Sequence, residues 1–119
     1  MNLEFYKSDD TIVGLLCVQL ILRNARTLKE KRRVIKSLKD RVKNNFNVSI
    51  SETGVLDNCQ YSNLGIAMVG NDRQYINSTL SNLINMFECA SSFELAGYRM
   101  EFILLSINFL FFMLVFQNA

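Results

Sequence analysis

The sequence predicts an α+β fold in which strand, helix, strand, strand, helix and strand follow one another. Three observations predict it. Thr11 to Leu22 (TIVGLLCVQLIL) is an apolar run too short for a membrane span and rich in strand-favouring residues. Two later stretches, beginning near Leu28 and Asn71, repeat their apolar residues with a helical period. Short apolar or alternating segments, 48–53, 64–70 and 95–103, lie between and after them. A chain of 119 residues fits one compact domain, whose core is large enough to need neither disulfides nor a structural metal.

The first strand has two apolar faces. Ile12, Leu16, Val18, Leu20 and Leu22 alternate with Val13, Leu15, Cys17 and Ile21, with Gln19 as the polar exception, so cover is expected on both sides. The first helix opens on Thr27 with Glu30 three residues later, the spacing of a capping box, and runs to about Asn44. Counted at about 100° per residue from Leu28, Val34, Ile35, Leu38 and Val42 complete an apolar arc of about 120°, the width of a helix lying on a sheet. Lys29, Arg32, Arg33, Lys36, Lys39 and Lys43 fill an adjoining arc of similar width, in which Asp40 is the one acid.

After Asn44 and Asn45, VSISET (48–53) alternates as a half-buried strand, and Leu64–Gly70 supplies the next. Gly54 to Ser62 is expected to be a nine-residue loop, longer than a usual hairpin connection. Asn71 or Asp72 can cap the second helix, whose Ile76, Leu80, Leu83, Ile84 and Phe87 recur at helical spacing until Cys89. LAGYRMEFI (95–103) reads as the last strand. With right-handed crossovers this order gives the ferredoxin-like βαββαβ sandwich: a four-stranded antiparallel sheet, two helices on one face, and the other face open. The expected organisation is a polar leader over 1–10, the domain over 11–103 and an apolar tail over 104–119.

Net charge is only +2, yet ten of the thirteen basic residues lie between Arg23 and Lys43 beside two acids, Glu30 and Asp40. That window is strongly positive and the remainder negative, so the molecule is electrically polarised. The complete absence of histidine excludes Ser-His-Asp and Cys-His relays, His-ligated zinc and imidazole switches. Cys17, Cys59 and Cys89 are widely spaced and form no C-x-x-C pair, so no disulfide framework or zinc knuckle is indicated and a reducing cytoplasm fits. Cys17 is expected in the core, and Cys59 as at most an accessible thiol. Glu4, Asp9 and Asp10 are unlike the basic start of an export signal. No catalytic constellation, metal site or cofactor is expected; Glu52, Asp57, Asp72 and Arg73 lie near element ends without forming one.

Residues 25–52 (ARTLKEKRRVIKSLKDRVKNNFNVSISE), 64–69 (LGIAMV) and 70–73 (GNDR) resemble the YlxP-like family, a small bacterial domain of unknown function. The resemblance covers roughly residues 11 to 103. Its most specific stretch is Leu28-Lys29-Glu30-Lys31-Arg32, followed by Phe46-Asn47-Val48-Ser49. It implies a ferredoxin-like fold and cytoplasmic proteins whose genes often neighbour those for translation initiation and ribosome maturation. No catalytic residues come with it. Where relatives tend to show a D-L-W-Q-R-A pattern, this chain has Asp57-Asn58-Cys59-Gln60-Tyr61-Ser62, which leaves Tyr61 as the loop's aromatic. Relatives usually end near the last strand, so the tail is a second departure.

The functional expectation is a non-catalytic, RNA- or ribosome-associated protein that docks on phosphates through the basic helix. Its contacts would come from Arg32, Arg33, Lys36, Lys39 and Lys43, with Lys29 and Arg26 at the edge of the patch. The alternative is a homodimeric interaction module, paired through the open sheet face, whose basic helix meets an acidic protein. Base stacking on the sheet is not expected, because neither inner strand offers the aromatics of an RNA-recognition motif. Phe102 to Phe116 (FILLSINFLFFMLVF) carries no charge and as a helix would span about 22 Å, short of the roughly 30 Å hydrocarbon core. The tail is therefore expected to fold over the open face or into a dimer interface, with a membrane anchor as the lesser reading.

Overall fold

A computed structural model of the chain describes residues 10–104. Its elements are β1 (Ile12–Ile21), α1 (Leu28–Asn45), β2 (Ser49–Gly54), β3 (Tyr61–Gly70), α2 (Arg73–Glu88) and β4 (Glu94–Leu104). The four strands form one antiparallel sheet in the order β2-β3-β1-β4, the ferredoxin-like arrangement. The polar leader, except Asp10, and the tail beyond Leu104 lie outside the described residues.

β1 sits at the sheet's centre because it is apolar on alternate positions and can be covered where the helices pack. Leu16 and Leu20 are fully buried, and Ile12 and Val18 nearly so. They meet Leu64, Ile66 and Met68 of β3 on the same face, together with Ile35, Leu38 and Val42 of α1 and Ile76, Leu80, Leu83, Ile84 and Phe87 of α2. Each such side chain contributes roughly 1.5–3 kcal/mol by leaving water. Gly14 of β1 lets α2 approach closely, since a Cβ there would collide with Ile76 Cγ2. The second helix is capped by Asp72, whose carboxylate accepts from the N–H groups of Gln74 (3.0 Å) and Tyr75 (3.2 Å).

The structure differs from the sequence reading in three places. β3 begins at Tyr61, three residues earlier than expected, so the connection between β2 and β3 shortens to Val55–Gln60. Tyr61 pairs with Ile21, which extends the ladder through residues whose polar character hides a strand. The helix-free face of β1 is open, as the element order implies, and the second difference is Cys17 on it, exposed like Gln19 while Val13, Leu15 and Ile21 are half-buried. Both helices lie on the opposite face, so among the described residues this one has no covering layer, and Cys17 is a surface thiol instead of a core residue. Third, the capping box is offset: Thr27 Oγ1 accepts from Glu30 N at 3.1 Å, but Glu30 Oε2 accepts from Arg26 N at 2.6 Å instead of from Thr27.

Candidate nucleic-acid interface

The roll of α1 about its axis decides which of its cations face water. Ile35, Leu38 and Val42 turn to the sheet, which turns the basic arc outward. Lys29, Arg32, Arg33, Lys36 and Lys43 are exposed and Lys39 is half-buried; Arg26 is exposed in the segment leading into the helix. The structure thus gathers six of the seven expected residues along α1, with Arg26 two residues before it. None of them enters an ion pair among the described residues, where the pairs are Arg23 with Glu94 (2.9 Å) and Lys31 with Glu52 (3.0 Å). Glu30, one of the two acids in the basic window, is engaged at the start of the helix by Arg26 N. Six long cations at helical spacing with one acid between them make a surface that attracts polyanions.

Lys31 stands apart from this set. It lies at about 300° from Leu28, inside the apolar arc, and is 1 % exposed. All three of its N–H donors are used: Nζ donates to Val55 O (2.5 Å), to Asn58 O (2.6 Å) and to Glu52 Oε2 (3.0 Å). The buried Ser62 hydroxyl donates to the same carboxylate oxygen at 2.6 Å. A charged group can be buried here because every donor has an acceptor and the charge has a counter-ion. The polar misfit within the apolar arc is the sequence signal that identifies Lys31, and the reading by charge count alone passes over it.

This network ties the β2–β3 connection to the first turns of α1. Val55 adopts φ 58°, a left-handed conformation unfavourable for a β-branched residue, and the Lys31 bond to its carbonyl holds it there. Asn58 N donates to Val55 O (3.3 Å), the Asn58 side chain accepts from Gln60 N (2.8 Å), and Leu22 N donates to Gln60 O (2.7 Å). The connection is thereby fastened to both α1 and the end of β1, with Leu56 projecting into solvent at 60 % exposure. Tyr61, the aromatic left by the departure from the family pattern, lies on the open side of the sheet opposite Ile21. It does not share a surface with the basic arc. Cys59, two residues before Tyr61, is half-buried.

Among the described residues, no three His, Cys, Asp or Glu side chains gather where they could hold a metal ion. No helix of these residues is long and apolar enough to cross a membrane.

Comparison with known proteins agrees with the family resemblance. Residues 13–100 match the family described as a protein of unknown function, DUF503. The chain is 36 % identical over 90 residues to a protein of Bacillus subtilis (strain 168) described as uncharacterized protein YlxP. That match covers 76 % of this chain and 98 % of the relative. The matched region takes in the whole of α1 and the Lys31 network, and the chain belongs to the DUF503 family, the YlxP-like proteins of unknown function.

Proposed function

We propose that the protein is a non-catalytic, cytoplasmic RNA-associated accessory of translation or ribosome maturation that docks on structured RNA, ribosomal RNA foremost, through the basic arc of α1. The observation that carries this reading is the row of exposed cations on α1 without acidic partners among the described residues. A helix face serving only solubility would mix both signs. Lysines and arginines on phosphates fix position without reading sequence, so the expected preference is for RNA shape and charge density. No bond is made or broken in this role.

The test is binding of the full chain to a structured RNA across a salt series. Six phosphate contacts would make log affinity fall with log salt at a slope of roughly 4 to 5. Reversing two of them, Lys36→Glu with Lys39→Glu, should weaken binding by about tenfold or more and flatten that slope. A slope near zero, or a double reversal without effect, rejects the reading. Salt-sensitive migration with a ribosomal subunit on density gradients, abolished by nuclease, would extend it to the ribosome.

The open sheet face supports a second reading, a homodimeric module whose basic helix meets an acidic protein. Val13, Val69 and Ile103 are cross-strand neighbours on that face, and Val69 is 65 % exposed. A solvated apolar cluster on a sheet favours pairing with another apolar surface. Sedimentation equilibrium over a wide concentration range, with Val69→Asp alongside, separates the readings: a dimer dispersed by that change, with nuclease-resistant association, favours the module.

A further inference from the structure

α1 carries another surface between its basic arc and the side that meets the sheet. Arg33, Ser37 and Arg41 recur every four residues and form one ridge, rising about 12 Å from first to last. Val34 and Leu38 form a parallel apolar ridge beside it. The connection between α2 and β4 brings Ser92 and Phe93 opposite, and together these residues enclose an open cleft of about 280 Å³.

The cleft has an apolar floor and one cationic wall, with Ser92 across from it. Leu38 and Phe93 are buried, Val34 is half-buried, and Phe93 is braced edge-on against Phe87 with ring centroids 6.1 Å apart. Arg33 and Arg41 are exposed, with no acidic partner among the described residues. Glu94 pairs with Arg23, and Asp40, exposed one turn from Lys36, Ser37 and Lys43, forms no ion pair with Arg33 or Arg41. Two guanidiniums whose planar forks match phosphate oxygens, two hydroxyls and an apolar floor are the groups a nucleotide presents partners for. The volume, about 280 Å³, lies just below the roughly 300–1,000 Å³ of small-molecule sites, which suits no more than a single such unit.

We propose that this cleft binds one nucleoside monophosphate unit, its phosphate between Arg33 and Arg41 near Ser37 and its sugar and base against Val34, Leu38 and Phe93. The unit can be a free nucleotide or an unpaired nucleotide in a strand lying on the basic arc, which Arg33 adjoins. Only the second source rests on the proposed RNA association.

Amide NMR titration of the full chain with adenosine monophosphate, adenosine, inorganic phosphate and a single-stranded oligoadenylate tests this. Adenosine monophosphate is expected to shift Ser37, Ser92 and Phe93 saturably, and Arg41→Gln or Ser92→Leu should weaken it by about tenfold while Arg99→Gln, on the open sheet face opposite Cys17, changes it less than about twofold. Oligoadenylate binding that is also weakened by Arg41→Gln and Ser92→Leu assigns the strand as source; indifference to both, with the monophosphate still bound, assigns the free nucleotide. Inorganic phosphate binding as tightly as the monophosphate, or no shift at Ser92 and Phe93 with any probe, overturns the proposal. If the monophosphate binds but structured RNA does not, the RNA association fails and the cleft stands. Unchanged amide spectra of the variants away from the cleft certify their folds.

Discussion

Replacing Lys31 measures how much of the β2–β3 connection rests on one ammonium group. Lys31→Ala leaves the Glu52 carboxylate and the Val55 and Asn58 carbonyls without their donor, and breaking a buried pair from one side costs about 3–5 kcal/mol. Urea unfolding should register that loss, and a double-mutant cycle of Lys31→Met with Glu52→Gln should return a coupling of at least about 1 kcal/mol. Two independent, additive losses would show that the pair is incidental. Val55 offers the opposite sign: at φ 58° a glycine avoids the Cβ clash, so Val55→Gly should raise the unfolding free energy measured in urea by up to about 1 kcal/mol. A net decrease would show that the half-buried Val55 side chain contributes more by packing than its backbone costs. At this scale the sequence was legible only in part. Lys31 stands out as a charge inside an apolar arc, but Glu52 and Ser62 lie 21 and 31 residues away and are named as its partners only once β2 and β3 are paired.

The elements themselves were largely legible, because their signals are local. α2 follows from a helical stripe of five apolar residues, all buried, and from the Asp72 cap; Asp72→Ala should lower stability by about 1 kcal/mol in thermal or urea unfolding. Retention of full stability would mean that water replaces the carboxylate at Gln74 N and Tyr75 N. Close packing was not legible: nothing local to Gly14 says that α2 passes over it. Gly14→Ala forces a methyl against Ile76 and should cost about 1–3 kcal/mol, with part of the loss recovered when Ile76 is shortened to Ala in the same chain. Simple additivity of those two changes would indicate that the contact relaxes by a shift of the helix. The extra residues of β3 escaped the periodicity reading because Tyr61, Ser62 and Asn63 are polar, and Ser62 is buried by its bond to Glu52 instead of by hydrophobicity.

Across the described residues, the row of cations on α1 and the apolar cluster of the sheet lie on opposite sides. The basic arc of α1 lies on the helix side, and the cluster of exposed Val69 with half-buried Val13 and Ile103 lies on the sheet's other side, beside exposed Arg99 and Glu101 of β4. A polyanion on one side and a second apolar surface on the other can therefore be accommodated together, so Lys36→Glu should alter RNA affinity without altering sedimentation, and Val69→Asp the reverse. Any variant that moves both readouts would show that the two faces are linked. The charge asymmetry was legible from the sequence, since it needs only counting along the helix. What the open face carries was less so, because both sides of β1 read as apolar and only the packed helices distinguish core from surface.

The seat of Lys31 also acts as a rotational lock. An amphipathic helix lying on a sheet can turn by some tens of degrees and still bury most of its aliphatic side chains, since one leucine does nearly as well as the next. An ammonium with three fixed acceptors has no such tolerance: rolling α1 by one residue's angle, about 100°, would replace it with Glu30 or Arg32 opposite Glu52. Lys31 thereby fixes the azimuth of the helix, and with it the direction in which the molecule's electric dipole points relative to the strands. Loosening that lock would blur a docking geometry even in a protein whose stability and total charge had been restored.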